Sequence, residues 1–160
     1  MTQQESHRVP RPPSIIAFER LYLGSIVLYI VNAALFWSAT REIMVQTPQI
    51  EANPAMAGMV GGIMAGSLIV TVLVSLLFWW LVARARSVAG KWLVVGTEAI
   101  GAIFGLLALL RLARGTAPIP TATALGLIAT GLAVAAAAML FRADAGSWFD
   151  PVDEEVVPEP

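Results

Sequence analysis

Glu98 is the residue best placed to do chemistry. It stands alone among apolar neighbours in the run from Trp92 to Leu110, six residues past Trp92 and so about 9 Å along a helix. A carboxylate at that depth in hydrocarbon is costly, and marks a proton relay, a bound cation or a charge partner. Two partners lie at similar depth in the first apolar run. If Arg20 faces Glu98, the pair is an ion bridge; if Glu19 faces it, the two carboxylates share a proton in low dielectric. Helical spacing puts Glu19 on one polar stripe with Tyr22, Ser25, Tyr29 and Asn32, while Arg20 is turned about 100° away. Asn32 lies deep in its run and is expected to reach a neighbouring hydroxyl or backbone carbonyl.

Other chemistry is hard to assemble from these residues. There is no cysteine, the single His7 lies in the N-terminal tail, and no glycine-rich loop leads into a lysine. No metal, cofactor or catalytic residue is therefore expected, and the chain does not read as an enzyme. Net charge is −1, which offers nucleic acid no basic surface.

The elements that position these residues follow from composition. Of 160 residues, 58% are hydrophobic and 13% charged, with a mean hydropathy of +0.75. Too few polar residues remain to cover one core with a wetted surface, so the medium is lipid. Spanning about 30 Å of hydrocarbon takes about 20 apolar residues in a helix, and four runs qualify: Ile15 to Trp37, Gly58 to Val82, Trp92 to Leu110 and Ala122 to Phe141. They are continuous rather than alternating and rich in Leu, Ala and Met, which favours helix. An all-α integral membrane protein follows, a bundle of four transmembrane helices over residues 15–141. The tail 1–14 and the acidic tail 142–160 are expected to have no fold of their own. The first run exceeds the apolar part of a signal peptide and is expected to be retained.

Prolines 48, 54, 118 and 120 punctuate the first and third connections, and the second is a short basic hairpin around Gly90. Arg8, Arg11, Arg20, Arg84, Arg86, Lys91 and Arg142 fall on one side of the bundle, against Arg41, Arg111 and Arg114 on the other. Positive charge gathers on the cytoplasmic face, which predicts that both termini are cytoplasmic.

Small residues mark where helices approach closely. Gly58, Gly62 and Gly66 form a double GxxxG, either a homodimer seam or packing against another helix of the same chain. Gly101 and Gly105 share a stripe with Glu98, and Gly126 begins one in the fourth run. In the acidic tail, Trp148, Phe149 and Asp150 either dock a basic partner or rest in the lipid headgroup region.

The segments RPPSIIAFERLYLGSIVLYIVNAALFW and LFRADAGSWFDP resemble the flanks of uncharacterised small four-span bacterial inner-membrane proteins, in which an FExLYL run opens the first helix and a DAxxWF run follows the last. That resemblance implies the bacterial cytoplasmic membrane and no assigned activity. Small multidrug transporters likewise carry a membrane-embedded glutamate in their first helix, where this chain has Glu19, although its deepest acid is in the third run. The sequence thus predicts a structural or accessory protein, packing with itself or with other membrane subunits in the bilayer. A small transporter or proton-coupled permease using an intramembrane glutamate is the alternative.

Overall fold

The computed structural model describes residues 11–149, which form helices α1 (Pro13–Leu35), α2 (Trp37–Val45), α3 (Pro48–Glu51), α4 (Pro54–Ala83), α5 (Val88–Ala113), α6 (Pro120–Met139) and α7 (Ala143–Phe149). His7, Arg8 and Asp150 lie outside the described residues, as does most of the N-terminal tail. There is no strand among the described residues. Helices α1, α4, α5 and α6 are long and apolar enough to cross a membrane, and the shortest, α6, has 20 residues or about 30 Å of length. Leu73, Leu77, Ile103 and Leu107 stand about half exposed on the outer faces of α4 and α5, a surface that water would not tolerate and lipid satisfies. The chain is a multi-pass membrane protein.

Prolines open α1, α3, α4 and α6 in their first turn, where the missing N–H has no helical partner to lose. The helices α4 and α5 start earlier than their apolar runs, at Pro54 rather than Gly58 and at Val88 rather than Trp92. Hydropathy detects only the lipid-soluble part, while the helix continues until a proline or a cap stops it. At α5 that cap is Ser87, whose Oγ accepts the Gly90 N–H at 3.1 Å. The same helix ends at Gly115, with φ +67°: its N–H donates to the Leu112 carbonyl and that of Thr116 to the Arg111 carbonyl, a Schellman closure.

Two stretches differ from the sequence expectation. The first connection holds the short helices α2 and α3, and part of the C-terminal tail, expected to lack a fold, is helix α7 docked on the bundle. The sequence alone offered no long apolar run there; the docking contacts described below are what order it.

Helix α6 packs closely against α1 and α5, and α4 leans more lightly on α1 and α5. The core gathers at one end of the bundle, where α1 and α5 begin and α4 and α6 finish. Phe18, Val82, Val94, Leu140, Ala145 and Trp148 are buried together there, and the Phe18 and Tyr22 rings stack at 5.2 Å. Away from this closed end the four long helices part around a cavity.

Candidate functional site

Four helices line that cavity of about 490 Å³. Tyr22, Ser25, Tyr29 and Asn32 come from α1, one side of it, as their spacing predicts. Thr71 and Ser75 face it from α4, and Thr123 and Thr130 from α6, where the Thr123 hydroxyl donates to the carbonyl of Ile119, just before the helix, and that of Thr130 to the Gly126 carbonyl. Glu98 enters from α5. It lies ten residues beyond Val88, so about 15 Å from the start of the helix, and still about 9 Å past Trp92.

Glu98 has neither partner that the sequence offered. Glu19 is engaged at the closed end, 3.3 Å from Arg11 and 3.5 Å from Arg84, and Arg20 is exposed on the outer side of α1. The physical reason is depth: Glu19 sits only six residues after Pro13, level with the arginines that cap the bundle, while Glu98 reaches further in. Among the described residues Glu98 forms no ion pair and no side-chain hydrogen bond. Its carboxylate rests over Gly101, whose missing Cβ would lie 3.7 Å from Oε2. One turn toward the closed end is Val94, fully buried, so the acid stands at the floor of the cavity just above the sealed core.

The glycines divide by face. Gly105 lets α5 approach α6, since a Cβ there would meet Thr130 Cγ2 at 3.3 Å, and Gly126 lets α6 approach Asn32 of α1, whose Nδ2 would be 3.6 Å from such a Cβ. Asn32 does not reach the hydroxyl or backbone carbonyl expected of it: among the described residues its side chain forms no hydrogen bond, and its Oδ1 is buried without a partner. Among the described residues a Cβ at Gly58, Gly62 or Gly66 would meet nothing within 4 Å, although Gly58 borders a hollow shared with Trp37 and Arg41 of α2. Packing against another helix of the same chain is thereby corrected. Helix α4 turns inward the half-buried stripe of Ala65, Leu68, Val72, Ser75 and Trp79, which leaves Gly62 and Gly66 of the double GxxxG on the lipid side. Gly61, one residue round, is the glycine that receives α2: a Cβ there would stand 3.8 Å from Arg41 Nε.

Trp148 is not on an open docking surface. It is 4% exposed, its indole N–H donates to the Val82 carbonyl at 3.0 Å, and the Arg86 guanidinium lies 4.1 Å over its ring. Arg86 holds a left-handed φ of +51°, unusual for a side chain with Cβ, and the stacking helps to keep it there. Phe149 is half-buried with Lys91 Nζ 5.2 Å from its ring centre. Asp144 completes the joint, accepting the Ser14 N–H at 2.9 Å from the first turn of α1. These contacts fasten α7 across the closed end.

The Ser14 N–H holds the Asp144 carboxyl below the usual carboxylate range, with Arg142 nearby adding to it. A depressed folded value contributes stability above the unfolded value of about 4, and loses it as pH falls through the folded one. The melting temperature of the purified protein is therefore expected to drop on acidification below about pH 4 by more than that of Asp144→Asn, which keeps an acceptor and does not titrate. Identical acid profiles would show that Asp144 does not fasten α7.

Thr71, Ser75, Thr123 and Thr130 were not picked out from the sequence. Their signal was present as spacing: positions 71 and 75 share a face of α4, and 123, 126 and 130 share one of α6. No protein-family model, curated protein or solved structure matches the chain. Function is accordingly read from the chemistry of the cavity, not from the fold.

Proposed function

We propose that the chain is a small solute permease of the bacterial cytoplasmic membrane, with both termini cytoplasmic, and that the cavity at Glu98 receives the solute. One observation carries this reading: an unpaired carboxylate at the floor of a chamber between four membrane-length helices, its largely apolar wall broken by hydroxyl and amide groups. A structural bundle gains nothing from such a chamber, since each unfilled volume forfeits packing contacts and an uncompensated carboxylate is costly in hydrocarbon. The joint of α1, α4, α6 and α7 then acts as the shut gate, and the opposite half as the open one. Lysine and arginine at the closed end support its cytoplasmic placement, and the FExLYL and DAxxWF runs support the bacterial membrane.

The absence of cysteine makes a direct test. Ser75→Cys is expected to react with a membrane-impermeant maleimide added from the side opposite the closed end, and more slowly from the other side as the gate opens. Reaction from one side only would leave a binding chamber and remove the permease. No reaction from either side would favour the second reading, an accessory protein that packs with itself or another subunit through the open glycine face of α4.

A further inference from the structure

We propose that the hollow between α2 and α4, at the open end of the bundle, holds one phospholipid by a zwitterionic headgroup that carries a primary ammonium. The site is independent of what the Glu98 chamber does. The hollow has about 680 Å³ and is lined by Trp37, Ser38, Arg41, Glu42 and Gln46 on one side and by Gly58 of α4 on the other. Depth sets its surroundings. Helix α1 takes 23 residues, about 35 Å, to run from the closed end to Leu35, so α2, which opens at Trp37, stands level with the headgroups of the far leaflet. Tryptophan favours that level.

Charge selects the headgroup. Arg41 and Glu42 are exposed neighbours in sequence, turned about 100° apart on α2, and among the described residues neither is in an ion pair. Both nevertheless border the same hollow. An anion alone would meet Glu42 there and a cation alone would meet Arg41, whereas a zwitterion satisfies both. The guanidinium fork suits a phosphate, taken in two parallel hydrogen bonds, and the carboxylate suits an ammonium with N–H groups to donate. A quaternary ammonium has none.

The tail has a path as well. From Gly58 in the wall of the hollow, Gly62 and Gly66 step along the lipid side of α4 for about 12 Å, with no side chain to fill the furrow and exposed Met59 and Ile63 beside it. A hydrocarbon chain lies against bare helix backbone there by close packing alone. The charged hollow defines the site, and the furrow only receives the chain.

Native mass spectrometry of the full-length protein in mild detergent, titrated with phosphatidylethanolamine, phosphatidylcholine and phosphatidylglycerol of identical acyl chains, reads the binding. One phosphatidylethanolamine per protein is expected, preferred about fivefold or more over either of the others. Glu42→Gln is expected to erase the preference over phosphatidylcholine, and Arg41→Gln to weaken retention of all three about fivefold. Both positions are exposed, so melting temperatures stay close to that of the parent. Equal retention of the three lipids by the parent, an unchanged preference in Glu42→Gln, or undiminished binding in Arg41→Gln overturns the proposal. So does binding of glycerophosphoethanolamine, which has no acyl chains, as tight as that of the lipid, since the occupant is then a soluble phosphoamine. A mass of two protein copies without lipid, returned to one copy by Gly62→Leu, also overturns it and gives the glycine face to a second copy.

Discussion

Trp148→Ala is expected to destabilise the protein by about 3 kcal/mol, the low end of what removing a buried tryptophan costs in a packed core. Three losses combine. The indole fills the closed end beside Phe18, Val82 and Leu140, and its removal leaves a void there. Its N–H satisfies the Val82 carbonyl, one of the terminal carbonyls of α4; the neighbouring Trp80 and Leu81 carbonyls take the N–H groups of Arg84, Ala85 and Ser87. Arg86 also loses the ring over which it stacks. Trp148→Phe retains most of the volume and gives up the hydrogen bond, for about 1 kcal/mol. Denaturant unfolding in mild detergent measures both, and hydrogen exchange across α7 and the last turn of α4 locates the damage. Unchanged stability and exchange in Trp148→Ala would mean that α7 is not part of the cooperative fold. Under the permease reading the same variant opens the shut end, which quickens maleimide reaction of Ser75→Cys from that side.

Gly90→Val carries the second large effect, about 3 kcal/mol, at the upper end of overpacking costs. Gly90 lies in the first turn of α5, where the hairpin brings it against the end of α4. A Cβ built there comes 2.7 Å from Leu81 Cβ and 3.3 Å from the Leu81 backbone carbon. The first of these is closer than real Cβ contacts, and the second atom is backbone, so the hairpin itself must shift. Because Gly90 also donates to the Ser87 cap, the shift reaches the start of α5 and the core around Val94. Gly96→Val, two turns on with nothing within 4 Å, is the control and is expected to change stability by less than about 0.5 kcal/mol. Equal effects at positions 90 and 96 would refute the close approach of α4 and α5.

Both expectations concern contacts that hydropathy does not report. The four long helices were legible because bilayer thickness imposes a local requirement, about 20 apolar residues in succession, and each run meets it by itself. The polar side of α1 was legible too, since Tyr22, Ser25, Tyr29 and Asn32 differ enough from their neighbours to mark one face. Rotation of the other helices was not. The helices α4 and α5 are apolar over most of their circumference, with only Thr71, Ser75 and Glu98 to mark a face, so chamber-facing Val72 and lipid-facing Leu73 look alike in sequence, and a GxxxG shows that something can come close without showing what.

Sequence by itself determined the medium, the number of long helices, the stripe of α1 and the solitary place of Glu98 within its run. Only the tertiary structure decided that Arg11 and Arg84 take Glu19, that Gly62 and Gly66 of the double GxxxG face outward, that α7 seals one end, and that Glu98 stands unpaired above that seal. The division has a physical origin. Partition into lipid depends on each segment alone, whereas pairing and packing depend on how far along and how far round each helix is set against its neighbours.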